Sequence, residues 1–228
     1  MAARQNPGWP SWWAPGLRIR SDWPRWAQAG SSGGAGMARV LGGYAAMGAA
    51  AVVTALALGH DPLSCEGWLH ATGTASVLLS SGLGLCLGAV TVAATPTIVR
   101  RASWARALHS ALRPGVHGAS GGALFGLAVA SATAEELLFR GLLVPLVGIV
   151  ASSVVFGVLH QIRGRGRWGW VAWATVMGLL FATIFAATGS LAGPLLAHAA
   201  INCVNLQFLR DHEPEGRARR PLGGLLDR

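Results

Sequence analysis

Among the ionisable or strongly polar side chains inside long apolar stretches, six have types and spacing that could do chemistry: Glu135, Glu136, Arg140, His160, His198 and Asn202. Holding such a group in hydrocarbon costs at least about 2.5–3.5 kcal/mol, so each is a functional candidate. Their spacing separates them into roles. Glu136 and Arg140 are four residues apart, meet on one helix face and are expected to form a structural ion pair. Glu135 is rotated by about 100° from that pair and lacks a cation of its own. A carboxylate so placed suits general-base work, and Glu135 is the expected catalytic base. His198 and Asn202, again four apart, point into one sector and can donate hydrogen bonds to a developing oxyanion. Phe156 and His160 share a face, with the ring able to shield the imidazole. Plainer readings stay open. His160 lies close to Arg163, where histidine is cheap, and His198 with Asn202 could join helices without chemistry. The concentration of so much polar capacity in three segments favours chemistry.

The elements that must position these groups are membrane helices. Hydrophobic residues make up 52% of the chain and charged residues 12%. A soluble domain carries roughly twice that charged share. Six apolar segments are expected, near 40–59, 72–95, 119–143, 146–161, 169–188 and 191–209. Most approach the roughly 20 residues a membrane crossing requires. The fold class is therefore all-α, a polytopic membrane bundle of about six helices with both termini cytoplasmic. The orientation follows from arginine, the only basic residue type besides histidine in the chain. Arg18, Arg20, Arg25 and Arg39 precede the first segment, Arg100, Arg101, Arg106 and Arg113 follow the second, Arg163, Arg165 and Arg167 follow the fourth, and Arg210, Arg217, Arg219 and Arg220 follow the sixth. The intervening loops hold none, as the positive-inside rule requires. The net charge of +9 is thus spent on topology, and no nucleic-acid partner is expected. Residues 100–113 are amphipathic, with Trp104, Ala107, Leu108 and Leu112 on one face, and should lie along the inner interface.

Residues 1–36 are a Trp-, Pro- and Gly-rich tail, read as disordered or interfacial. Met37 is an alternative start. Residues 37–210 form the membrane domain, and 211–228 a cytoplasmic tail. Cys65, Cys86 and Cys203 have neither disulfide-framework nor zinc-knuckle spacing.

Three stretches carry a family resemblance: AEELLFRGLL, SSVVFGVLH and TGSLAGPLLAHAAIN. They hold E-E-x-x-x-R, F-x-x-x-H and H-x-x-x-N in that order, and resemble the CAAX-protease and bacteriocin-processing (abortive-infection-type) family of membrane peptidases from about residue 130 to 205. The resemblance implies a helical bundle with its site in a cavity inside the membrane. It also implies that Glu135 and His160 activate a water while His198 and Asn202 hold the oxyanion, with Glu136, Arg140 and Phe156 in support. The expected activity is that of a glutamic-type intramembrane endopeptidase, with no cofactor and a membrane-anchored protein or peptide as substrate. An arginine-only, alanine-rich chain points to a bacterial inner membrane.

Other readings compete with this one. Two histidines and a glutamate could be three ligands of a catalytic zinc, although H-E-x-x-H is missing. A non-enzymatic immunity or chaperone-like protein of the same fold is expected to lose motif residues, and all are present here. A transporter using Glu135 as a proton relay should show repeat symmetry, and none is visible. Ser190 lacks G-x-S-G context, and there is no G-x-G-D aspartate. One geometric difficulty follows from the segment boundaries. An upright helix from residue 119 puts Glu135 about 24 Å above the inner face. His160 is expected near that face. A fresh helix from a Thr133–Glu136 capping box, or a tilt, would close the gap.

Overall fold

The computed structural model describes residues 33–213. The expected N-terminal tail falls almost wholly outside them, as does most of the C-terminal tail. The chain forms α1 (Gly33–Ala57), α2 (Gly73–Arg101), α3 (Ser103–Val116) and α4 (Gly121–Glu136). A π-helical segment (Leu137–Leu143) then leads into α5 (Val144–Leu159), followed by α6 (Arg167–Thr188) and α7 (Ala192–Asp211). Six of these α-helices match the six expected apolar segments, and α3 is the expected amphipathic stretch. Among the described residues, four helical spans are long and apolar enough to cross a membrane: 36–57, 73–101, 121–159 and 167–188. The third contains two of the six segments. α7 is not among the four; it carries His198, Asn202, Asn205, Gln207 and Arg210 along its length.

Small residues set how closely the helices approach. Ser76, Ser80, Gly84, Gly88 and Thr91 form the buried stripe of α2, spaced at three and four residues. Gly84 faces Gly193 of α7 backbone to backbone, where neither position has room for a Cβ. The Ser80 hydroxyl donates to the Ser190 carbonyl (2.8 Å) and accepts from the Gly193 amide (2.9 Å). The Ser76 hydroxyl donates to the Thr188 carbonyl (2.6 Å). Membrane helices cannot draw on a hydrophobic difference from lipid, so close packing and such hydrogen bonds carry the association.

The two ends of the bundle differ. At one end, α3 docks on the last turn of α7, with His109 Nε2 2.7 Å from the His212 carbonyl oxygen. Val116, Leu124 and Leu209 form a core there. Gly166, in the loop with Arg163 and Arg165, packs against the main chain of Trp104 and Leu108. At the other end, loop 58–72 is tied to the α6–α7 turn. The Cys65 amide donates to Gly189 (3.1 Å), the Trp68 amide to Ala186 (3.0 Å) and the Leu191 amide to Leu63 (3.0 Å). Gly189 has φ +75 and lies against the Cys65 carbonyl, so its position calls for glycine on both counts. Arginines gather at the first end, and loop 58–72 has none, in agreement with the expected charge alternation.

The turn between the third and fourth segments is where expectation and structure part. No helix starts at Thr133; α4 runs through it unbroken. The reversal also does not fall at Val144–Pro145, where proline sits within the helix. It falls at Gly148, with φ 82 and ψ 169, a conformation that side-chain-bearing residues seldom adopt. Glu135 lies thirteen residues before Gly148 and His160 twelve after it. At about 1.5 Å per residue the two are some 18–20 Å from the same turn, and therefore level. α5 stops part-way back. His160 stays close to the arginine loop, three residues before Arg163 and 5.9 Å from the Trp170 ring in the first turn of α6, yet it meets Glu135 at 3.4 Å, and the depth difficulty disappears.

Candidate active site

The expected site residues converge. Glu135 projects from the end of α4, with its Oε2 3.4 Å from His160 Nε2 and 3.8 Å from His198 Nε2. That oxygen is buried and makes no hydrogen bond. Buried polar atoms are nearly always satisfied. An unsatisfied carboxylate oxygen between two imidazoles marks a place for a further polar group.

Glu136 faces the other way and is fully buried, at 0% exposure, beside Arg140 at 1%. The expected ion pair is present: Arg140 Nη1 donates to Glu136 Oε1 at 2.9 Å. Arg140 Nη2 donates to the Gly178 carbonyl of α6 at 3.1 Å. The guanidinium lies 4.6 Å from the Phe156 ring centroid, 5.1 Å from that of Phe181 and 5.9 Å from that of Phe139. A planar cation between aromatic faces is held by its quadrupole contacts as well as by its carboxylate.

Glu136 also does something its spacing did not reveal. Its Oε1 lies 2.7 Å from His198 Nδ1, so the pair that anchors α4 to α6 also orients the α7 imidazole. No i, i+4 rule reaches across helices, and only the register of α7 against α4 exposes this contact. His160 is oriented similarly, with Nδ1 2.8 Å from the Phe156 carbonyl oxygen. With both Nδ1 atoms committed as donors to oxygen acceptors, each neutral ring turns a lone pair at Nε2 toward Glu135. His198 can donate through Nε2 only when its ring carries two protons. The expected oxyanion role therefore requires His198 as an imidazolium, with Glu136 as its counter-charge.

Asn202 sits one turn along α7 from His198 and donates through Nδ2 to the Ser131 hydroxyl at 3.2 Å. Ser131 was not singled out from sequence, although it lies four residues before Glu135 on one face of α4. Phe156 packs on His160 with ring centroids 4.2 Å apart, as its spacing predicts, and meets Phe139 edge-on at 4.9 Å. Phe181 stacks on His198 at 5.3 Å and Trp170 meets His160 edge-on at 5.9 Å. Neither carries a spacing signal. These rings exclude water and strengthen every charge contact between them.

The π segment lies directly beyond Glu136, a frequent placement for such segments at functional sites. Its Phe139 carbonyl accepts from the Val144 amide and from the Ser152 hydroxyl of α5 (2.8 Å). The hairpin is thereby fastened close to Glu135 and Glu136.

Residues 119–204 match the family described as Type II CAAX prenyl endopeptidase Rce1-like. The uncharacterized protein YpbD of Bacillus subtilis (strain 168) is 36% identical over 73 residues, covering 32% of this chain and 38% of the relative. The chain thus spans well under half the length of that relative. No solved structure matches. The matched stretch holds Glu135, Glu136, Arg140, His160, His198 and Asn202 together, so this part of the chain is similar to the Rce1-like family.

Proposed function

We propose that the protein is a glutamic-type intramembrane endopeptidase that hydrolyses a peptide bond in a membrane-anchored protein or peptide of a bacterial inner membrane. The observation that carries this reading is the buried, unbonded Glu135 Oε2 with His160 Nε2 at 3.4 Å and His198 Nε2 at 3.8 Å. A water donating to Glu135 and His160 has its oxygen lone pair free for attack. As the C–O bond forms, the water proton passes to the Glu135–His160 pair. The negative charge on the former carbonyl oxygen is met by the His198 imidazolium and by the Asn202 amide, turned from Ser131. When the C–N bond breaks, the proton held by Glu135 and His160 passes to the leaving amine. Glu136, Arg140 and Phe156 orient these groups and do not exchange protons.

A zinc held by Glu135, His160 and His198 is the competing reading. In its favour, both histidines have Nδ1 engaged by an oxygen, as metal-bound histidines usually do. Against it, no group of three or more His, Cys, Asp or Glu among the described residues is arranged to hold a metal ion. The reading proposed is metal-free, and no step is routed through a zinc. Retention of all seven motif residues speaks against a purely binding role.

The test compares Glu135→Gln, His160→Ala and His198→Ala with wild type by proteomics of membrane-protein termini. The expected result is one shared set of termini lost in all three. Unchanged termini in every variant would overturn the peptidase reading in favour of an immunity or chaperone-like role. Activity that survives chelator treatment supports the metal-free mechanism, whereas loss with recovery on zinc addition restores the zinc reading.

A further inference from the structure

The wall of the site facing α1 lies outside the family match, which begins at residue 119. α1 packs on α4 and on the π segment. Its inward stripe is Val40, Tyr44, Gly48, Ala51 and Ala55, spaced at three and four residues. Three of these are small and buried. A Cβ on Gly48 would lie 3.4 Å from Ala134 Cα, and Ala51 and Ala55 pack with Leu142. The two helices therefore run in the same direction in close contact from Gly48 onward. Tyr44, one turn earlier, is the large residue at the point where the gap must widen. That turn is level with Ser131, the partner of Asn202.

The Tyr44 ring is half-buried on the face of α1 that meets α4, one turn before the Gly48–Ala134 contact. Its hydroxyl makes no hydrogen bond to any described residue. No other polar side chain occupies the stripe; Arg39 and Thr54 of α1 are exposed. A hydroxyl on the α4-facing side of a membrane helix, unbonded and level with Ser131, is a donor open to an acceptor. An extended peptide brings such acceptors. A substrate unwound for attack loses its helical hydrogen bonds, and within the membrane its carbonyls must be satisfied by the protein.

We propose that the Tyr44 hydroxyl is the donor that α1 supplies to the substrate, binding a main-chain carbonyl of the unwound peptide beside the scissile bond. This rests on the peptidase reading. It makes the first helix part of the substrate-binding surface and Tyr44 a positioning residue in the Glu135 compartment.

Two measurements test it. Tyr44 is the only tyrosine, so protein labelled with 13Cζ-tyrosine gives a single reporter signal. That signal should move on Glu135→Gln and stay in place on Arg101→Gln, at a distant exposed position. An identical signal in wild type and Glu135→Gln would overturn the proposal. In cells, Tyr44→Phe keeps the ring and removes the donor. It should slow formation of the Glu135-dependent termini by about tenfold, the loss of one hydrogen bond, with thermal unfolding unchanged. Glu135-dependent termini forming at the wild-type rate would overturn this proposal and leave the peptidase standing. Termini independent of Glu135 would overturn both.

Discussion

The α2–α7 seam and the Glu135 cluster are both buried and polar, yet they are built in opposite ways. Along the seam, Ser76 and Ser80 bond main-chain carbonyls, and glycines bring the backbones together. Every hydroxyl named there is satisfied locally. Around Glu135 the groups are charged, held by aromatic rings, and Glu135 Oε2, Glu136 Oε2 and Arg140 Nε are left without a partner. The seam spends its polar groups on holding helices together. The site holds some in reserve for something that arrives later. Burial alone does not distinguish glue from chemistry in a membrane protein; the state of satisfaction does.

Substitutions in the two regions should therefore separate activity from stability. Glu135→Gln keeps shape and removes the base, so turnover should fall by about 10²–10⁴-fold while thermal unfolding in detergent, followed by tryptophan fluorescence, stays close to wild type. A large drop in melting temperature would mean that Glu135 belongs with the glue. Glu136→Gln is the converse. It leaves the Arg140 guanidinium buried without a counter-charge and should cost about 3–5 kcal/mol, lowering the yield of folded protein along with activity. Gly193→Ala drives a methyl group into Ser80 and should cost about 1–3 kcal/mol. Cleavage per folded molecule should be unchanged, and a turnover defect without destabilisation would show that the seam reaches the site.

The smallest effect is expected at loop 58–72. The Ser64 hydroxyl (2.6 Å) and the Leu63 amide (2.8 Å) donate to the Asp61 carboxylate and hold its pKa below the ordinary value. A carboxyl depressed in the folded state stabilises it above the unfolded pKa of about 3.9. That contribution is lost as pH falls through the folded value. Asp61→Asn should thus melt slightly below wild type at neutral pH, and the two curves should merge in strong acid. A gap that persists there would assign the effect to packing.

Much of the architecture was legible because six apolar segments alternate with four arginine clusters placed on one side. The site was legible in so far as it obeys i, i+4 spacing: Glu136 with Arg140, His198 with Asn202, Phe156 with His160. What escaped depends on contacts between helices. The turn at Gly148 lies in an apolar run without polar punctuation, in a chain of 32 glycines where one more carries no signal. The Glu136–His198 contact and the Phe181 stack depend on helix register, which local sequence does not encode. The bond from Ser152 of α5 to the Phe139 carbonyl in the π segment is likewise a contact between helices.

That segment carries a consequence for how the chain tolerates length changes. A π turn holds one more residue than the α turn it replaces, so Leu137–Leu143 works as a phase adjuster between Glu136 and the hairpin. Removing a single residue there would let the run relax into ordinary α-helix with its flanks still in phase, whereas relaxing without a deletion would rotate everything beyond it by about 100°. Gly148 would then aim α5 elsewhere, and His160 would leave Glu135 with every motif letter still in place. The winding between the E-E-x-x-x-R and F-x-x-x-H motifs is thus a structural quantity in its own right, and the meeting of Glu135 with His160 depends on it as much as on the motif letters.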